Sequence, residues 1–322
     1  MGILNYIKGT EMKYFASLVI AFLIVGLVSA EEKWWPSKWG ATDTLGSFNM
    51  LGPELTLKAS KLVKTGKTYR LGIETNSDTP AYGTRTFEVH VLYPNQYSHH
   101  HPIGGNKFNY FDDHMSGWMG VGSQIDGLGH AATDGVFYNG FKASDFAKVD
   151  GLTKMGVEDY PPVVTRGVLL DMAACKGKKV LPANTPYNKK DIVACEKKLG
   201  VNIEKGDVVL FHSGWLTYLK SDPEKFIKEQ PGITADGANY LVEKEVMAVG
   251  SDNSALELIP GEDPNILFPV HQILINYNGI YILENMDTRE LAADKAYEFM
   301  FVLGPARISG AVQMIINPIA IR

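Results

Sequence analysis

Short apolar segments that alternate between strand and helix patterns constrain the fold of this 322-residue chain more than any other feature. Runs rich in β-branched and aromatic residues predict strands at 163–172 and 207–212, and helical patterns follow at 189–199, before Gly200, and at 234–244. Further strands are predicted at 68–73, 85–92, 246–250, 280–283, 299–303 and 312–316, and further helices at 53–63 and 270–277. This alternation predicts an α/β fold with a mixed β-sheet core and flanking helices.

The amino-terminal segment has the three parts of a secretory signal peptide. Lys13 precedes an apolar run at residues 14–28, and the small residue Ala30 precedes two glutamates. Met12 offers a second start that opens a conventional basic region. The apolar run is shorter than the roughly 20 residues that a membrane-spanning helix needs. We therefore predict that residues 1–30 are a cleaved signal peptide and not a retained anchor.

Residues 31–322 are predicted to form a single domain that begins with an irregular arm, because no internal repeat, low-complexity linker or charge block divides them. The mature protein is expected to be periplasmic or secreted, without a stable membrane anchor after processing. In an oxidising compartment Cys175 and Cys195 could pair, and the sequence leaves that pairing open.

The charge composition limits the kinds of partner that we expect this protein to bind. The formal net charge is -5, and the chain contains no long run of lysine and arginine. Both features argue against nucleic acid as a partner. We expect a small-molecule substrate and a homo-oligomeric protein.

The glycine-rich stretch at 120–130 combines an amide, a carboxylate and an imidazole within seven residues. Gln124 and Asp126 stand two apart, so an extended backbone directs both side chains to one face, and His130 continues that parity if the segment stays extended. These donor groups suit a divalent cation such as Mn²⁺ or Zn²⁺. The alternative is a turn in a glycine-rich surface loop, with the histidine bonded to a backbone carbonyl.

This stretch resembles the signature HxGTHxDxPxH of the cyclase-like metal-dependent hydrolases, the family that includes bacterial kynurenine formamidase and isatin hydrolase. Segments at 38–49, 206–215 and 271–285 resemble the same family in order and spacing, so the resemblance runs from about Trp39 to Leu291. It implies the swivelling β/β/α fold of the cyclase family.

The stretch departs from this signature at identifiable positions. Asp126 and His130 match it, whereas its first histidine falls on Gly120, its second on Gln124 and its proline on Leu128. The stretch is closer to a branch whose motif reads TQWDxLxH. The resemblance then implies that Gln124 supplies an amide oxygen in place of an imidazole, and that the site is mononuclear.

The resemblance also implies roles for individual residues. Gln124 and Asp126 would hold a Zn²⁺ or Mn²⁺ ion, and His271 and Glu284 would bind the ion or lie beside it. His130 would be the general base, because its reference pKa lies near the working pH.

Two further histidines are candidates for substrate contact or for supporting the metal ligands. His212 ends a predicted strand, and His114 follows two aspartates just before the motif. The alternatives are a structural role for His212 and a solvated turn around His114.

The resulting hypothesis is a hydrolase that cleaves the C–N or C–O bond of a small amide, cyclic amide or lactone. The aromatic amino-terminal arm is expected to cover a flat ring of the substrate. The competing hypothesis is a secreted small-molecule-binding protein that keeps this fold and has lost catalysis, since two histidines of the signature are replaced.

Overall fold

The computed structural model describes residues 33–92 and 103–322. The predicted signal peptide, its cleavage site after Ala30 and both candidate start residues lie outside the described residues. Within the two described ranges, no helix has both the length and the apolar character to cross a membrane.

The secondary structure alternates as the sequence predicts. The strands are β1 Thr68–Arg70, β2 Phe87–Leu92, β3 Asp112–Gly117, β4 Gln124–Asp126, β5 Ala147–Lys148, β6 Gly151–Leu152, β7 Val163–Asp171, β8 Pro186–Tyr187, β9 Val208–His212, β10 Gly232–Ile233, β11 Ala248–Ser251, β12 Tyr281–Glu284, β13 Glu298–Leu303, β14 Gln313–Ile315 and β15 Ile319–Ile321. The α-helical segments are Pro53–Ser60, Ala143–Phe146, Met172–Cys175, Lys189–Leu199, Tyr218–Ser221, Pro223–Lys228, Ala235–Glu243, Pro269–His271 and Arg289–Ala293, and a π-helical segment follows at Gln272–Tyr277.

A nine-stranded sheet organises these elements, in the order β1-β15-β13-β7-β9-β11-β12-β4-β14. Its four central strands, β7, β9, β11 and β12, run parallel. The strands added on both sides pair antiparallel. The predicted α/β fold with a mixed sheet is therefore confirmed.

The parallel strands lie in the hydrophobic core. All five residues of β9 are buried, which is why the sequence shows a continuous apolar run there instead of alternation. The antiparallel strand β13 alternates between buried and partly exposed residues. The motif strand β4 pairs with β12, a parallel strand whose four residues are all buried.

The helix predicted at 189–199 is confirmed with its boundaries. Asn188 caps its start by accepting a hydrogen bond from the Asp191 backbone N–H at 3.0 Å, and Gly200 ends it in the left-handed region at φ 71°. Cys195 of this helix forms a disulfide with Cys175, which resolves the pairing that the sequence left open.

A two-stranded arm, formed by β2 and β3, stands outside the main sheet. Its strands pair antiparallel, with His90 opposite His114. Apolar side chains on it are exposed, including Val89, Val91 and Met115. The solvated turn proposed as an alternative around His114 is thus a strand of this arm.

Several predicted boundaries are wrong. The first helix ends at Ser60 and does not reach residue 63, and the strand predicted at 68–73 stops at Arg70. The helix predicted at 270–277 begins at Pro269 and becomes π-helical from Gln272. Hydrophobic periodicity identifies these segments but does not report where their backbone hydrogen bonds change.

Candidate metal centre

The candidate centre is a row of polar side chains across three adjacent strands. β4 lies between β12 and β14, and it pairs antiparallel with both. Gln124 lies opposite Glu284 on one side, and Asp126 lies opposite Gln313 on the other. Directly opposite residues of antiparallel strands have side chains close enough to interact. Strand register therefore assembles the row.

Hydrogen bonds connect its members. Gln124 Nε2 donates to Glu284 Oε2 at 2.8 Å and to Asp126 Oδ1 at 3.2 Å. Gln124 and Asp126 thus share a face, as the extended backbone at 124–126 predicts. Two oxygens in this row, Gln124 Oε1 and Asp126 Oδ2, are buried without a hydrogen-bond partner among the described residues. Buried polar atoms without partners carry a desolvation cost, so these oxygens suit an additional ligand.

Three side chains converge tightly enough to share one ion. Asp126, His130 and His271 each offer a ligand atom, and these atoms all lie within 4.8 Å of one another. The two imidazole rings are 6.0 Å apart between centroids. His271 Nε2 is 3.8 Å from Asp126 Oδ2 and 3.5 Å from Glu284 Oε1. The cluster is consistent with one divalent cation and with ligands of mixed oxygen and nitrogen type.

A turn brings His130 to this cluster, and the alternation of side chains along the strand does not. The strand ends at Asp126, and the His130 backbone N–H donates to the Gly127 carbonyl at 3.0 Å. The extended backbone on which the parity of His130 depended therefore ends at Asp126. At Gly127 a Cβ atom would lie 2.1 Å from the Tyr160 hydroxyl, so packing admits only glycine where the chain turns.

Glu257 positions His271. Its Oε1 accepts a hydrogen bond from His271 Nδ1 at 2.6 Å, and its two oxygens also accept from the backbone N–H groups of Val270 and His271 at 3.2 Å. These three bonds fix the ring, so that Nε2 faces Asp126. His271 also lies at the junction with the π-helical segment, a geometry that often occurs at functional sites.

The two histidines of the cluster have different protonation states because their surroundings differ. Burial lowers the pKa of His130, and the nearby Asp126 carboxylate only partly opposes this. Burial would also lower the pKa of His271, but hydrogen bonds to Glu257 and Glu284 outweigh it and raise that pKa to about 10. Near neutral pH, His130 is therefore the unprotonated imidazole and His271 the protonated one.

Glu284 is a carboxyl group of the row whose pKa is raised. Burial, reinforced by the charge of Asp126, raises the pKa of Glu284 to about 8. Its hydrogen bond from Gln124 and its contact with His271 place this proton beside the cluster.

Gln313 is a member of the site that the sequence did not reveal. Its Nε2 donates to Asp126 Oδ1 at 2.5 Å. A Cβ atom on Gly120 would lie 3.0 Å from Gln313 Oε1. The Gln313 amide thus lies beside the position where the resembled signature has its first histidine.

A cavity of about 360 Å³ opens onto the cluster. Its lining residues are Tyr82, Arg85, Gln124, His130, Ala131, Ala132, Ala255, Leu267, Phe268, His271, Gln272 and Glu284. This volume is at the small end of the range for ligand pockets. Five of these residues are apolar and the other seven carry polar groups. Apolar surface with a few convergent polar groups is typical of a small-molecule site.

The other two candidate histidines lie away from this lining. His212 is hydrogen-bonded to Thr288 Oγ1 at 2.8 Å, and its Nδ1 is 3.3 Å from Asp252 Oδ2. His114 is exposed on the two-stranded arm. Neither lines the cavity.

The amino-terminal arm also lies elsewhere. The Trp34 ring packs on Tyr277 with centroids 4.7 Å apart, and none of the arm's tryptophans lines the cavity. The expected cover over a flat substrate ring is therefore not provided by this arm. Phe268 and Leu267 occupy the apolar side of the cavity instead.

Comparisons with known proteins agree with this architecture. The family model described as putative cyclase matches residues 69–257. A crystal structure described as a novel cyclase is 28% identical and has a TM-score of 0.78, with 89% of this chain and 98% of that chain covered. No protein of curated function matches the sequence.

More distant structures share the fold. Isatin hydrolase A from Ralstonia solanacearum is 16% identical with a TM-score of 0.59, and the comparison covers 80% of this chain and 92% of that one. An isatin hydrolase bound to the product analogue thioisatinate is 18% identical with a TM-score of 0.58, and 84% and 98% are covered. At these identities the likeness concerns the fold alone.

Proposed function

Because the chain belongs to the putative cyclase family, we propose that it is a metal-dependent hydrolase that cleaves the C–N or C–O bond of a small amide, cyclic amide or lactone. One observation carries the proposal: Asp126, His130 and His271 offer ligand atoms within 4.8 Å of one another, and the two histidines line a cavity. The family match and the structure described as a novel cyclase support this proposal, and the structures described as isatin hydrolases share the fold.

The residues present fit a divalent cation. Asp126 Oδ2 and Gln124 Oε1 are buried and unpartnered, and His271 Nε2 lies 3.8 Å from that Asp126 oxygen. These three atoms would hold the ion, with Zn²⁺ or Mn²⁺ as the proposed metal, and His130, the other imidazole of the cluster, is left for proton transfer. His271 must release its Nε2 proton to bind, so occupancy should increase with pH. When bound, such a cation lowers the pKa of water and polarises a carbonyl group.

The protein's own groups supply proton transfer and orientation. His130 is unprotonated near neutral pH and faces the cavity, so it can accept a proton from water and return it to the leaving group. Glu257 holds the His271 ring in place. Glu284 accepts from Gln124 Nε2, which leaves Gln124 Oε1 free for the ion.

A second candidate function is ligand binding without catalysis. Gln313 and Gln124 both donate to Asp126 Oδ1, so two amides already satisfy one oxygen of the charged group. A carboxylate stabilised by these two hydrogen bonds could stay in the site without an ion, and the cavity could then bind a small molecule. Metal content and metal-dependent turnover distinguish the two functions.

We also propose that the mature protein begins at Glu31 and is periplasmic or secreted, as one domain. A homo-oligomer is proposed through the β2–β3 arm, because Val91 on it is 70% exposed and Val89 and Met115 are more than half exposed. An apolar ribbon of this kind is typical of a protein-protein contact. Sedimentation of wild type and a Val91→Lys variant tests the oligomer.

The function is tested with chelator-treated protein and a panel of aryl formamides, lactones and cyclic imides. Hydrolysis should require added Zn²⁺ or Mn²⁺, and His130→Ala should abolish most of it. His114→Ala is the matched control, since that imidazole lies on the exposed arm. Undiminished hydrolysis after complete metal removal contradicts the proposal.

A further inference from the structure

Arg85 is a cavity residue that the hydrolytic chemistry does not use. Its side chain lines the cavity together with His130 and Glu284 and is partly buried. Among the described residues it has no hydrogen bond or ion pair from its guanidinium, although other arginines, such as Arg166 and Arg289, are paired with carboxylates. A partly desolvated charge without a partner is costly unless a ligand supplies one.

The two carboxylates of the polar row have other hydrogen-bond partners. Glu284 accepts from Gln124 and contacts His271, and Asp126 accepts from Gln124 and Gln313. Arg85 therefore presents its donors to the cavity and not to the row of polar side chains.

The residues around Arg85 indicate which chemical group of a ligand it binds. No lysine and no second arginine line this cavity within the described ranges, and the protonated His271 is already paired with Glu257. Arg85 therefore matches one negative charge of a ligand and does not match a phosphate dianion. The planar fork of a guanidinium fits the two oxygens of a carboxylate. Phe268 and Leu267 provide an apolar wall for the body of a small ligand.

We propose that Arg85 binds a carboxylate group carried by the substrate, so that the substrate is a small amide or lactone with a free carboxylate apart from the bond that is cleaved. This inference rests on the proposed hydrolase function, which supplies the reaction that the substrate undergoes. The recognition of the carboxylate is argued from the residues of the cavity alone. Arg85 is then the residue that determines charge specificity.

Binding of two matched probes tests the recognition without any reaction. Benzoate and benzamide differ only in charge and in their donor groups, and calorimetry gives the affinity of each for the wild type, Arg85→Gln and Arg70→Gln. Arg70 is an exposed arginine that lines a different groove, so its variant is the matched control. Melting temperatures establish that all three proteins are folded.

Benzoate should bind the wild type and Arg70→Gln more tightly than benzamide, and Arg85→Gln should lose about 10- to 100-fold in affinity for benzoate, the usual worth of a charge-assisted hydrogen bond. Benzamide affinity should stay unchanged. The proposal is overturned if benzoate binds the wild type no more tightly than benzamide does. It is also overturned if Arg85→Gln keeps the wild-type affinity for benzoate.

Turnover separates this proposal from the proposed function. With 4-formamidobenzoate and 4-formamidobenzamide as substrates, Arg85→Gln should lower kcat/KM about 10- to 100-fold for the anion alone. Equal losses for both substrates would identify Arg85 as a group that acts on the reacting carbonyl and overturn its role in recognition. Charge-selective binding without hydrolysis of either compound would contradict the hydrolase and leave the role of Arg85 supported.

Discussion

Replacing Glu257 with glutamine is expected to destabilise the metal-free protein by an amount that depends on pH. Glu257 is 3% exposed and accepts three hydrogen bonds from Val270 and His271. Glutamine keeps the shape and one acceptor oxygen but removes the charge that stabilises protonated His271.

The magnitude follows from proton linkage. The pKa of His271 is raised to about 10, and a raised histidine pKa stabilises the fold fully below the unfolded value and loses that contribution as pH rises through the folded value. Against a reference pKa of about 6.5, the contribution is at most roughly 5 kcal/mol near pH 6, roughly 3 kcal/mol near pH 8 and under about 1 kcal/mol near pH 10. Loss of a buried acceptor adds about 1–3 kcal/mol at every pH.

Urea unfolding of chelator-treated wild type and Glu257→Gln between pH 6 and pH 9.5 measures this difference. The matched control is Glu196→Gln, because Glu196 is also buried and accepts from the Ile203 backbone and the Tyr240 hydroxyl but has no histidine partner. The Glu257 difference should shrink with rising pH, and the Glu196 difference should stay constant. Equal behaviour of the two variants would refute a cationic His271 held by Glu257.

Four further outcomes are expected. His130→Ala should lower kcat by roughly 10²–10⁴-fold with little change in metal content, and the acidic limb of the pH–rate profile, expected below pH 6.5 because burial lowers the pKa of this histidine, should disappear. Gln124→His should preserve or tighten Zn²⁺ binding in a metal titration, since imidazole is the better ligand. Arg166→Met should cost about 3–5 kcal/mol in urea unfolding, because it leaves a buried carboxylate unpaired. Amino-terminal sequencing of exported protein should begin at Glu31, and a product that keeps Met12 would exclude cleavage.

The sequence predicts the sheet well because burial on both faces leaves continuous apolar runs, as in β9 and β11. It also identifies Gln124 and Asp126 as neighbours, because alternation along a strand is a local property. Local pattern is sufficient in both cases.

The missed residues depend on contacts between distant segments. Gln313 reaches Asp126 across 187 positions, and only the register between β14 and β4 brings the two together. Glu257 follows β11 in irregular chain and meets His271 through loop geometry. No periodicity encodes either contact, and the Gly127 turn likewise depends on the packing of Tyr160.

Metal stoichiometry of the purified protein, compared between wild type and Asp126→Ala, tests the central claim most directly. Asp126 is fully buried, contributes an unpartnered oxygen and is the charged member of the ligand set. The wild type should contain about one divalent ion per chain, as a single shared site requires, and the folded variant should contain almost none. Full occupancy in Asp126→Ala, or a wild type that binds no ion when Zn²⁺ or Mn²⁺ is supplied, would contradict the account.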